Sequence, residues 1–262
     1  MLVTAANKLV EVFLSPLCAG CGEALQRPLD GPVCSGCWRG VSMLTAPLCV
    51  RCGDAQPSWR AAGPLCPRCL DRPPPYAIAR SAGRYEGPLR TILHAFKYGR
   101  QRSLAEPLAA LVEHAASDLL GSADALVPVP LHPTRSFERG FNQADDVARH
   151  LHRPVWRLLR RARPGRPQAS LPAADRYANV KAAFAIAPGW TRWPGPGARR
   201  LVGATVVLVD DVMTTGATID ACSRVLLDAG VRRVGALTVA RAVASQPSRP
   251  HRQPRPSRAR HR

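Results

Sequence analysis

The chain has 262 residues and a formal net charge of +19 at pH 7. That length accommodates one α/β domain plus a small module, and no run approaches the roughly 20 consecutive apolar residues of a membrane span. The first 16 residues lack a cleavable signal pattern, which predicts a cytoplasmic protein. The basic excess suits a polyanionic ligand and also attracts nucleic acid, although 34 of the 37 basic residues are arginine, a bias that codon usage also produces.

In chain order, residues 1–16 are mildly amphipathic and predict a short helix leading into the first cysteines. Eight of the nine cysteines then form four C-x-x-C pairs: Cys18/Cys21, Cys34/Cys37, Cys49/Cys52 and Cys66/Cys69. The segment is duplicated, since Cys-x-x-Cys-Gly at 18–22 recurs at 49–53 and Gly31-Pro32-Val33-Cys34 recurs as Gly63-Pro64-Leu65-Cys66. Each copy offers four thiolates, the donor set of a tetrahedral Zn²⁺ site, so two structural Zn²⁺ ions are predicted. Disulfides are disfavoured in a cytoplasmic chain. Sequential pairing, first pair with second and third with fourth, follows from the duplication. A cross-braced arrangement, first pair with third, respects the same repeat. Large apolar side chains are few here, which makes metal the main source of folding energy. A nucleic-acid or partner-binding role for the ribbons stays open.

The predicted division is residues 1–72 for the helix and double ribbon, 73–75 for a stiff proline linker, 76–244 for the main domain and 245–262 for a disordered tail. That tail holds six arginines and no acid. Within the main domain the pattern predicts a strand at 77–85, a helix from Gly87-Pro88 to about 97 and a second helix over 103–120. A buried strand at 125–129, a helix at 141–152 and a further strand at 155–159 follow. Strands at 206–209 and 234–239 flank a helix at 216–229 closed by Gly230. Strands alternating with helices imply a parallel sheet with helices on both faces and ligands at the carboxyl ends of its strands.

The most informative stretch is Val206-Val207-Leu208-Val209-Asp210-Asp211-Val212-Met213-Thr214-Thr215-Gly216-Ala217-Thr218. A buried strand ends in two acids, which suit a ribose diol. A turn of hydroxyls and backbone N–H groups at a helix N-terminus follows, a place where phosphate is readily held. The plainer reading is a strand end whose acids merely cap the next helix.

This pattern resembles the phosphoribosyl-diphosphate (PRPP) motif of type I phosphoribosyltransferases. The resemblance implies that Asp210 and Asp211 hold the ribose hydroxyls, and that Thr214, Thr215, Gly216, Ala217 and Thr218 wrap the 5-phosphate. Phe96-Lys97-Tyr98-Gly99 and Val127-Pro128-Val129-Pro130-Leu131 occur earlier in the chain, the latter leading to Arg135 and to Arg139-Gly140-Phe141-Asn142-Gln143. Taken with the double zinc ribbon, they resemble the ComF family of competence-associated phosphoribosyltransferase-like proteins, including its GntX-type members. The likeness spans about residues 16–241 and departs in the loop at 189–200 and in the tail.

By that resemblance Arg135, Arg139 and Lys97 face the diphosphate or its Mg²⁺, and Arg139 with the two acids forms the catalytic set. The segment 163–179, with Gln168 and Arg176, becomes a flap over PRPP. For the other arginines of so arginine-rich a chain a solvated surface charge is the competing reading, with Arg139 excepted because the motif around it matches. His94 and His132 are candidate proton carriers, and Cys222 reads as a small buried residue. The implied partners are PRPP, single-stranded DNA and the DNA-uptake machinery, while oligomeric state is not legible. Two functions follow: a DNA-uptake or single-stranded DNA-processing factor that binds PRPP, or a metabolic transferase moving ribose 5-phosphate to a base or amine. Trp38, Trp59, Trp190 and Trp193 are candidate stacking platforms for single strands, with packing as their default role.

Overall fold

The computed structural model describes residues 15–56, 63–132, 138–162, 183–191 and 200–242, together with Thr4, Asn7 and Val10. The expected stacking residues Trp59 and Trp193, the flap and the basic tail lie outside them.

The β-branched run that predicts a buried strand becomes the long strand β5, Thr205–Met213. Introduced in chain order, its partners are β1 (Ile78–Arg84), β2 (Ala125–Pro128) and β6 (Arg233–Arg241). The four form one parallel sheet in the order β1-β6-β5-β2. Parallel sheets are covered on both faces, and the side-chain period of two divides β5 and β6 accordingly. Val207, Val209, Leu237 and Val239 enter one apolar core, while Val206, Leu208, Val234 and Ala236 enter the other.

The first face is covered by α3 (Gly87–Tyr98), α4 (Ala105–Ala115), α5 (Ser117–Gly121) and α6 (Gln143–Arg149). The opposite face is covered by α8 (Ala217–Asp228). Two short helices, α1 (Ser35–Arg39) and α2 (Pro67–Asp71), belong to the cysteine module. An antiparallel pair, β3 (Leu159–Arg161) with β4 (Phe184–Ile186), and a turn of helix α7 (Pro188–Thr191) complete the set.

Three expectations need correction. The helix expected over 103–120 breaks at Ala116, whose backbone leaves the helical region (φ −145°, ψ 32°). The break lets both Leu119 and Leu120 turn inward, and Leu119 closes on Gly235 so tightly that a Cβ there would lie 2.6 Å from its Cδ1. The strand expected at 155–159 makes only one parallel bridge, Val155 to Leu126, before the chain turns away to form β3. The helix expected from 141 starts at Gln143, because Asn142 is its N-cap and accepts the Ala144 N–H at 3.0 Å. The Asn142 amide also donates to the Val129 carbonyl at 3.0 Å, pinning α6 to the end of β2.

The cysteine module shows its duplication bond for bond. Cys18 N–H donates to the Glu23 carbonyl at 2.8 Å, as Cys49 N–H does to Asp54 at 2.8 Å. Ala19 N–H donates to Pro32 and Val50 N–H to Pro64, both at 2.9 Å. The segment joining the copies lies along the outer edge of β1: Leu44 N–H donates to Ala82 at 2.9 Å, and Arg84 N–H donates to Ser42 at 2.8 Å. An otherwise open strand edge is thereby paired.

Candidate functional site

The loop after β5 keeps the expected form. Thr214 and Thr215 are exposed, Ala217 and Thr218 half-buried. Gly216 adopts φ +79° just before the first residue of α8, a conformation that glycine takes without strain. Ala217 N–H reaches Thr215 Oγ1 at 3.4 Å. Hydroxyls and the N–H groups of the first turn thus converge at the start of a 12-residue helix, where the dipole favours an anion.

The two acids do not sit side by side as a strand-terminal pair. Because β5 continues to Met213, they point to opposite faces of the sheet. Asp211 is buried on the first face and pairs with Lys97 Nζ at 2.8 Å. Lys97 comes from the last turn of α3 and lies 5.9 Å from the Tyr85 ring centroid. Asp210 is on the other face, within the electrostatic reach of Arg161 and of buried Cys222. Burial and then the Asp211 charge push the Asp210 carboxyl up to about 7. The Asp211 N–H, 2.9 Å from Asp210 Oδ1, together with Lys97 and Arg161, pulls against that rise. The acids, Lys97 and the threonine loop therefore share the carboxyl end of one strand.

Arg139 is turned inward. It is 6% exposed, donating from Nη1 to Gln143 Oε1 at 3.0 Å and from Nη2 to the Tyr98 hydroxyl at 3.3 Å. Its guanidinium also lies 4.9 Å from the Tyr98 ring centroid. In this structure it ties the end of α3 to α6, holding the helix that carries Lys97. Arg135, Gln168 and Arg176 fall outside the described residues. His94 is exposed and stacks on Tyr98 at 4.7 Å. Trp38 packs against the first core, and Trp190 against Trp156 at 5.5 Å.

Sequence reasoning missed Arg68, Arg161 and Arg241. Arg241, at the end of β6, is 2% exposed. It donates to Asp54 Oδ1 at 2.9 Å and to the Cys52 carbonyl at 2.8 Å, and lies 2.7 Å from Met213 Sδ. An arginine directly after a buried strand run was the available signal. Arg68, between the last two cysteines, lies 3.9 Å from Asp220 in α8. Nothing local marks it.

The cysteines form two quartets, Cys18/Cys21/Cys34/Cys37 and Cys49/Cys52/Cys66/Cys69, the sulfurs of each lying within 4.8 Å of one another. Pairing is thus sequential. All eight are free thiols. The Cys21–Cys34 and Cys52–Cys66 sulfur separations, 4.0 and 3.6 Å, match the about 3.8 Å edge of a tetrahedron with metal–sulfur bonds of about 2.3 Å.

Backbone N–H groups are aimed at the sulfurs in both copies: Cys34 at Cys18 (3.2 Å) and Cys66 at Cys49 (3.3 Å). Burial raises the Cys18 thiol, but the N–H groups of Cys34, Cys21 and Gly20 outweigh it and bring it down to about 6. Burial instead drives Cys37 and Cys69 upward, with neighbouring sulfurs adding to the rise. Four sulfurs crowded in this way are compatible with Zn²⁺, whose charge offsets both penalties.

Both regions of the chain match known families. Residues 9–70 match the double zinc ribbon domain family, and residues 138–257 match the phosphoribosyl transferase domain family. Competence protein F of Haemophilus influenzae is 31% identical over 238 residues, covering 86% of this chain and 90% of that protein. DNA utilization protein YhgH of Salmonella typhimurium is 32% identical over 219 residues, covering 79% and 87%. Among solved structures, an allosteric regulatory enzyme of purine biosynthesis overlaps 54% of this chain and 25% of its own, at 22% identity and a TM-score of 0.32.

Proposed function

This chain belongs to the competence protein F (ComF) family, with a double zinc ribbon followed by a phosphoribosyltransferase domain, and from that premise we propose that it binds PRPP and acts in DNA uptake or the handling of single-stranded DNA. The observation that carries the PRPP reading is the threonine–glycine loop at the N-terminus of α8, directly after a strand bearing two acids. In this reading the loop from Thr214 to Thr218 takes the 5-phosphate through backbone N–H groups and hydroxyls. Asp210 and Asp211 reach the ribose hydroxyls from either side of the strand end. Lys97, poised on Asp211 at 2.8 Å, supplies positive charge toward the diphosphate.

Mg²⁺ accompanies the ligand and neutralises its diphosphate. The site is a cytoplasmic one. The DNA role draws support from the names of the relatives, competence and DNA utilization, and from the +19 charge, which favours polyanions.

Calorimetric titration of zinc-replete protein with PRPP and Mg²⁺, repeated with a single-stranded oligonucleotide present, tests the proposal. Saturable PRPP binding, lost in a folded Asp210→Ala/Asp211→Ala double variant, is expected, together with salt-sensitive oligonucleotide binding. Retained affinity in that folded variant sinks the site assignment, and no binding by the parent protein sinks the ligand. Turnover with a defined base, without affinity for DNA, replaces the DNA role by that of a metabolic transferase.

A further inference from the structure

We propose that Arg68, carried by the second zinc ribbon, is a ligand of the phosphate held at the loop before α8, so that this ribbon forms one wall of the pentose-phosphate site. The inference rests on the phosphate-loop reading above and adds a residue that neither the loop motif nor the family match assigns.

The placement is specific. A Cβ at Gly216 would lie 3.2 Å from Arg68 Nη2 and 3.8 Å from Nη1, so the guanidinium lies over the residue where the loop becomes helix. Its nearest acid, Asp220 in the first turn of α8, is 3.9 Å from Nη2, beyond hydrogen-bond reach. Among the described residues no hydrogen bond of the Arg68 guanidinium is found, and its side chain is 41% exposed.

Arg241 is the instructive contrast. It is buried, and its donors are spent on Asp54 and Cys52. One arginine fastens the ribbon to the ends of β5 and β6, while the other keeps its donors open beside the loop.

The backbone of Arg68 is flanked by buried cysteines. It sits between Cys66 and Cys69, both buried members of one sulfur quartet, in α2. A guanidinium presents paired N–H donors that match two phosphate oxygens. With the helix N–H groups on one side and Arg68 on the other, a phosphate monoester dianion would meet donors from two modules. Asp220 competes for the same cation, but at 3.9 Å it leaves Arg68 available to a doubly charged ligand.

The test uses the full zinc-replete chain and two probes: ribose 5-phosphate alone, and PRPP with Mg²⁺. Arg68→Gln is expected to weaken both by the same factor, roughly tenfold to a hundredfold, because the 5-phosphate is common to them. Arg68→Lys should recover part of the loss. Two zinc ions per chain should be retained in each variant. Asp220→Asn, which removes the competing carboxylate, should preserve or tighten binding.

Unchanged affinity in Arg68→Gln overturns the inference while leaving the PRPP reading intact. An Asp220→Asn loss equal to that of Arg68→Gln also overturns it, since the pair would then be only a clasp. If the parent protein binds neither probe, the phosphate-loop reading fails and this inference falls with it.

Discussion

The two zinc ribbons share a backbone and differ in nearly everything around it. In the first, Cys21 is exposed and Cys34 half-buried; in the second all four cysteines are buried. The first joins the core beneath α3 and α4, and the second joins the core beneath α8. Among the described residues, it is the second that borders the threonine loop, through Arg68, and the ends of β5 and β6, through the bonds of Asp54 and Cys52 to Arg241. Duplication copied the metal site, and docking then separated the roles: one copy covers a helical face, the other borders the functional site.

The sharpest break in that contrast comes from removing one ligand from each ribbon. Cys52→Ser is expected to cost one zinc, to lower Tm by roughly 10 °C or more and to abolish PRPP binding. Cys21→Ser should cost one zinc with a smaller drop in Tm and little change in PRPP affinity. Metal analysis, thermal melts and calorimetry on both variants measure the difference, and equal losses of PRPP affinity would erase the distinction.

Next in size is the clasp. Arg241→Ala leaves the Cys52 carbonyl and Asp54 without their donor, and should cost about 2–4 kcal/mol in urea unfolding. Trp38→Ala, its counterpart on the half-buried face of the first ribbon, should cost about 1–2 kcal/mol.

A narrower probe is Gly20, where a Cβ would lie 2.6 Å from Cys37 Sγ. The repeat carries Arg51 at this position, which donates instead to the Pro74 carbonyl at 3.0 Å. Gly20→Ala should strain the first site by about 1–3 kcal/mol, speeding chelator removal of one zinc only.

A further effect concerns pH on the face shared with the second ribbon. Asp210 titrates at about 7 in the folded chain and near 3.9 when unfolded. Between those values the folded chain holds a proton that the unfolded chain has released, so stability falls as pH rises through that window. Asp210→Asn removes the penalty. It should be the more stable protein at pH 8 in denaturant melts and should converge with the parent below pH 4.

The cysteine pairs, the strand bearing Asp210 and Asp211, and the helix behind the threonine loop were all legible in the sequence, because each is written in local spacing. The divergence of the two acids was legible in principle: the period of two applies to any strand that runs past Val209, and β5 reaches Met213. The docking of Arg68 and Arg241 was not, since both partners lie far away in the chain. The inward turn of Arg139 likewise depends on Tyr98, 41 residues earlier. The break at Ala116 answers to Gly235 across the sheet, which no helical pattern records.

The strand order has a consequence for how the molecule is made. In β1-β6-β5-β2 the last strand to be synthesised lies between the first strand and the rest of the sheet. On the ribosome, the ribbons and β1 emerge early yet have no hydrogen-bonded place in the sheet until Arg241 is released. Truncation before β6 would remove Arg241 and its bonds to Asp54 and Cys52 in the second ribbon. The nascent chain therefore carries β1 without its sheet partner until β6 has emerged, with the segment between the ribbons covering the other edge.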